Sequence, residues 1–283
     1  MKKYSAFSLI EISIVILVIG ILIAGITHSS IMVKNSKLQT ARSLTQNSPV
    51  VDTENLALWY ETSLESSFLK SEEVDDAKIS AWYDNNPKAI VKNNAIQATS
   101  ANQPKFIVNT LNGGIPVIRF DGTNDSLAYD GTFLAGSNYT IFVVEQRLSD
   151  TSSNYFMGGS GSSINTNLGL GYGTNTTITQ AHYSNDFDVA TITGYSNPVA
   201  RIHTFWFSDS GGKKYWMNGG SATTSAGQTA ALVSYAGATV GARSSNYFNG
   251  DVAEIIIFTR ALKTAEKQLI ETYLGRKYNI TIG

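Results

Sequence analysis

Residues 7–26 form an apolar run, Phe7-Ser8-Leu9-Ile10-Glu11 and then Ile12 to Ile26, with one carboxylate near its start. From Ile12 to Ile26 only Ser13 is polar. A helix of about 20 such residues spans roughly 30 Å, enough to cross a bilayer. A charge inside such a helix costs roughly 2.5–3.5 kcal/mol on insertion scales, so Glu11 is first of all a functional residue. Lys2 and Lys3 precede the run and hold that end in the cytoplasm. The helical pattern continues amphipathically to about Gln46, and Asn47-Ser48-Pro49 stops it, because the residue before a proline is pushed out of the helical region.

Composition bounds the rest. The 283 residues are 42% hydrophobic and 15% charged, which supports a packed core and argues against a disordered chain. A net charge of -1 with no basic stripe leaves no electrostatic footprint for nucleic acid. The absence of cysteine removes disulfides, thiol nucleophiles and cysteine-ligated zinc. Twenty-four glycines and many aromatics with few charges fit an all-β body with tight turns.

Three readings of the N-terminal segment compete. A cleaved secretory signal suffers from a poor cleavage site around Ala24-Gly25 and from the interruption by Glu11. A plain membrane anchor fits the length and leaves Glu11 unexplained. The third accounts for every feature: Lys2-Lys3, the small Ala6, Phe7, Ser8-Leu9-Ile10-Glu11 and the apolar tract resemble, in that order, the type IV pilin and pseudopilin N-terminus. That resemblance implies a leader of residues 1–6, cleavage between Ala6 and Phe7 by a prepilin peptidase, N-methylation of Phe7, and an assembly role for Glu11. Ala6 departs from the family's usual glycine before the scissile bond. Cleavage would place a new positive amine at the start of a membrane helix. When helices bundle, a neighbour's Glu11 can neutralise it, since an unpaired buried charge costs several kcal/mol.

Beyond a linker at 50–55 the periodicity changes to that of strands. Pro116–Phe120, Tyr139–Gln146, Arg201–Phe207 and Val252–Phe258 read as strands, and Lys213–Met217 runs into an Asn218-Gly219 hairpin signal. One helix follows, with Thr264 as cap, Glu266 in its first turn, Arg276 and Lys277 in its last, and Leu269, Ile270, Tyr273 and Leu274 as its buried stripe. The stretches Gly114–Asp125, Val240–Arg243, Tyr247–Phe258 and Tyr273–Tyr278, with Trp82-Tyr83-Asp84, resemble the concanavalin A-like, laminin G-like superfamily. The expected fold is therefore an all-β antiparallel sandwich over 51–283 with a short C-terminal helix, behind a long transmembrane or assembly helix over 7–50.

Candidate chemistry in the sandwich is sparse. The resemblance allows a glucanase, which needs paired carboxylates on one strand face roughly 5–5.5 Å apart. No E-x-D-x-E run exists and Glu254 stands alone, so no enzyme is expected and no catalytic residue is named. His28, His182 and His203 have no ligand partner at short spacing and read as structural or surface residues. There is no G-x-S-x-G elbow. Asp121, Asn124 and Asp125 cluster oxygen ligands in one turn; calcium is the cation such a group would take, although Asx residues also simply close turns. No other cofactor is expected. Trp59, Trp82, Trp206 and Trp216 are the aromatics available to a sugar, with Trp206 and Trp216 expected in the core. The polar stretches 149–180 and 184–197 are read as loops able to carry a binding surface.

The functional expectation is a minor or tip pilin-like subunit displaying a lectin-like head for adhesion or glycan binding. Its partners would be a prepilin peptidase, other pilins, the inner membrane before assembly, and a surface ligand. The alternatives are a pseudopilin of a secretion or DNA-uptake system and an anchored sugar-binding module that does not assemble.

Overall fold

The computed structural model describes residues 8–190, 194 and 197–283. Helix α1 runs Leu9–Gln46 and ends at Asn47, where the sequence places its stop. Two large antiparallel sheets and a small two-stranded one follow among the described residues. Among the described residues the first has nine strands, and its centre is Tyr139–Arg147 paired with Arg201–Ser208 on one side and Asn249–Phe258 on the other. Ile115–Asp121 and Leu56–Glu61 share the far edge of Asn249–Phe258, at its start and its end. The second sheet contains Asn154–Gly158, Gly169–Thr174 and Thr177–Ala181. The stretch 149–180, expected as loop, thus carries three strands of the second sheet with loops between them. Its Thr, Tyr and Ile residues pair into a ladder, Gly171 allows close approach of the Asn154-Tyr155 backbone, and Gly169 makes room for the Arg243 side chain.

Two cores result. The first lies between the sheets and holds Tyr60, Trp82, Phe120, Phe156, Phe205 and Ile257. The second lies on the outer face of the first sheet, beneath the helices, and holds Ala41, Trp59, Phe142, Ile256, Phe258 and Leu274. Asn249–Phe258 is buried along both faces, which explains its near-continuous apolar sequence. A register irregularity between Val252 and Glu254 places Ala253 beside the outer core and turns Glu254 toward the C-terminal helix.

That helix, α2, spans Thr264–Tyr278 and ends at Asn279 in a left-handed conformation. Two details differ from expectation. Thr264 is its first helical residue rather than its cap; the Glu266 carboxylate accepts the Lys263 N–H at 2.9 Å and also binds Arg260. Leu269 is 59% exposed, whereas Ile270, Tyr273 and Leu274 are buried together with Lys267, Glu271 and Lys277. Trp59 and Trp82 are buried; Trp206 and Trp216, expected in the core, are half-buried, with Lys214 and Lys267 over their rings. Trp206 donates to Leu262 O, so it belongs to the seat of α2 rather than to the inter-sheet space.

Lys277 is fully buried and lies 2.8 Å from both Glu61 and Glu254, which face each other across adjacent strands. Each carboxylate is saturated with donors. Glu61 accepts from Ser63, Leu64 and Ser67, and Glu254 from Trp59, Tyr273 and Tyr278. Burial alone would lower the Lys277 pKa, but the pull of Glu254 and Glu61 outweighs it and raises the value. Burial would raise that of Glu61, but Lys277 and the Ser63 and Leu64 bonds bring it down. Removing the lysine would leave two carboxylates facing each other in the core. Lys277→Met is expected to cost roughly 3–5 kcal/mol of unfolding free energy in chemical denaturation of the full chain in detergent. Adding Glu61→Gln and Glu254→Gln to it should recover part of that loss.

Candidate functional site

Two regions carry functional potential: helix α1 and a polar cleft on the sandwich. Ala6 and Phe7 lie outside the described residues. Ser8 is the N-cap of α1, and its N–H donates to Glu11 Oε2 at 2.8 Å. In the single chain Glu11 thus closes a capping box, where a carboxylate also complements the positive end of the helix dipole. Ser13 in the apolar run and Thr27 just beyond it bond within the helix: Ser13 Oγ donates to Leu9 O at 2.7 Å and Thr27 Oγ1 to Ile23 O at 2.9 Å. The helix is long and apolar enough to cross a membrane. His28 sits on it, exposed.

From Leu9 to Val33 every residue of α1 is exposed. Contact with the sandwich begins only beyond this stretch. Lys37 Nζ donates to Asn112 O at 2.7 Å, and Arg42 donates to Ser63 O at 2.7 Å and to Glu65 at 2.9 Å. Ala41 and Thr45 are buried, and the Tyr273 hydroxyl of α2 lies 3.3 Å from Thr45 Oγ1. Gly114 lets the helix come this near: a Cβ there would lie 2.6 Å from Lys37 Cβ and 2.9 Å from Lys34 O. The chain is a bare apolar helix held by its last turns against the sandwich.

The turn bearing Asp121, Asn124 and Asp125 lies on the sandwich. Asp121 Oδ1 accepts the N–H groups of Thr123 and Asn124 at 2.8 and 3.2 Å, and Asp125 Oδ2 accepts that of Asp121 at 3.1 Å. Two of the oxygens that a cation would use are therefore engaged in closing the turn. Among the described residues no group of three or more His, Cys, Asp or Glu side chains gathers as a metal cage. The turn borders a cleft of about 360 Å3, whose walls also carry Lys78, Lys105, Arg119 and Asn249. Burial, and then the neighbouring Asp121 charge, raise the Asp125 pKa to about 6.

His182 and His203 are fully buried, as structural residues. His203 bonds Glu145 and Tyr215, each at 2.8 Å, and burial lowers its pKa. The pair Glu61 and Glu254 escaped the search of single strands because it forms across two. It lies sealed under α2, out of reach of a soluble ligand.

Residues 1–27 match the prokaryotic N-terminal methylation motif. No curated protein matches the chain. Among solved structures, the chain is similar to Trypanosoma rangeli sialidase in complex with sialic acid, at 14% identity and a TM-score of 0.53, over 82% of this chain and 35% of that one. It is also similar to a GH54 α-L-arabinofuranosidase, at 15% identity and a TM-score of 0.52, over 71% of this chain and 51% of the other. The chain thus spans about a third and a half of these proteins, and the likeness is one of fold. It nevertheless corrects the expectation that no enzyme is present, because the sandwich is shared with chains named as enzymes. A missing single-strand carboxylate motif does not exclude chemistry on such a scaffold.

Asp125 has a testable signature. Its folded pKa of about 6 exceeds the ordinary 3.8, so the native state binds more protons than the unfolded state between those values. Its contribution to stability is therefore complete only below pH 3.8 and is lost as pH rises through about 6. In melting curves, Asp125→Asn should stabilise the protein relative to wild type at pH 7, with the difference shrinking toward pH 4.

Proposed function

We propose that the chain is a type IV pilin-like filament subunit, in a minor or tip position, whose sandwich is displayed for adhesion or glycan binding. The observation that carries this reading is the bareness of α1 from Leu9 to Val33 beside the firm seat of its last turns. Such a helix needs lipid before assembly and other helices after it. The methylation motif at residues 1–27 supports cleavage between Ala6 and Phe7 by a prepilin peptidase, with methylation of Phe7. Lys2 and Lys3 favour a cytoplasmic leader and a periplasmic sandwich before assembly. A head of more than 200 residues is bulky for a repeated shaft subunit, which favours a minor or tip place. Likeness to a sialidase that holds sialic acid and to an arabinofuranosidase supports a glycan as the displayed surface's ligand.

In the filament Glu11 exchanges its own capping N–H for a neighbour's terminal amine, which fixes axial register. Mass spectrometry of the protein from cells is expected to find a chain starting at methylated Phe7; a chain starting at Met1 would overturn the reading. Glu11→Ala should insert into the membrane normally and enter filaments roughly ten-fold less or worse, because an unpaired buried amine costs several kcal/mol.

A further inference from the structure

We propose that the cleft bordered by Asp121, Asp125 and Asn249 is a saccharide-binding subsite that contacts sugar hydroxyls directly, without a metal; this rests on the glycan reading above. Its charges largely cancel in pairs. Lys105 Nζ lies 2.8 and 3.0 Å from the two oxygens of Asp76, and Arg119 holds the buried Asp251 through Nε and Nη2 at 2.7 and 2.9 Å. Such a cleft suits neither a polyanion nor a hard dication, and Lys78 and Lys105 face Asp125 besides.

What remains is a set of unused donors and acceptors. Among the described residues Asp125 Oδ1, Asp121 Oδ2, Arg119 Nη1 and the Asn249 amide make no hydrogen bond. Asp125 is only 6% exposed, so its free oxygen is held in place rather than waving in solvent. Behind Asn249, whose N–H donates to Asn154 Oδ1 at 2.7 Å, the Asn154 Nδ2 is buried without a partner. Ile107 and Leu148 provide an apolar floor. Fixed acceptors beside fixed donors over an apolar floor complement a polyol, whose hydroxyls both give and accept while its C–H face needs a dry surface. Gly122 builds the wall: its φ is +75°, and a Cβ there would lie 2.7 Å from Asn249 Cβ.

The full chain in detergent is applied to immobilised oligosaccharides ending in sialic acid, arabinofuranose, galactose or glucose, with and without EDTA. The affinity of Asp125→Asn, Asn249→Ala and, as a control on the exposed side of α2, Leu269→Ala is then measured for whichever saccharide is retained. The expected result is binding indifferent to EDTA, weakened about ten-fold or more by each cleft variant and unchanged by Leu269→Ala. Melting temperatures at or above that of wild type exclude a folding defect, and two cleft variants guard against one of them failing. Retention by wild type with no loss in either cleft variant would overturn the cleft while leaving the glycan reading intact. Loss in EDTA would overturn direct contact. Retention of no saccharide would overturn both the glycan reading and the cleft.

Discussion

Everything in this fold hangs from Lys277. Without its ammonium, Glu61 and Glu254 would confront each other across paired strands in a fully buried space. Replacing such a triad by apolar groups is often neutral or stabilising in other proteins, so strength alone does not explain it. Its value here is positional. The triad, with the Tyr273 and Tyr278 hydroxyls that bond Glu254, admits α2 in one rotation and one height. Once seated, α2 closes the outer core, and Tyr273 reaches Thr45 of α1. The angle at which a long bare helix leaves the sandwich is thereby tied to a buried charge at the opposite end of the chain.

The sequence was most readable where one local rule acts alone. The end of α1 follows from Asn47-Ser48-Pro49, because a proline's steric demand on its predecessor is independent of tertiary context. The main strands follow from runs of aromatic and β-branched residues. Reading failed where two layers share a segment. Leu269 belongs to the apolar stripe of α2 by spacing, yet the helix is turned so that Lys267, Glu271 and Lys277 enter the protein and Leu269 meets water. A stripe drawn from hydrophobicity alone cannot anticipate buried charges whose partners lie far away: Lys277 and Glu61 are 216 positions apart. Trp206 and Trp216 misled for a similar reason, since strand tryptophans pack on either face and here cover the outer one.

The candidate sites were legible in the same uneven way. Glu11 announced itself because a carboxylate in an apolar run is expensive wherever the run ends up. The turn at Asp121–Asp125 was visible as a cluster of oxygens, but its use as a turn closure and as the rim of a cleft depends on Asn249, brought in from a strand far along the chain. The carboxylates Glu61 and Glu254 meet only because their strands pair.

Three carboxylate settings therefore divide the work of one chain. Glu11 is exposed on a lipid-length helix, where its own N-cap residue satisfies it. Glu61 and Glu254 are sealed and permanently paired, so their charge serves architecture alone. Asp125 is nearly buried and, among the described residues, has one oxygen without a hydrogen bond and no ion pair to neutralise it. Burial and partner supply together decide which acid can meet a ligand. A fully satisfied acid offers nothing, and a fully solvated one loses little by staying in water. An acid held at the edge of solvent with one acceptor unmet gains most from an incoming hydroxyl, and on this sandwich Asp125 holds that position.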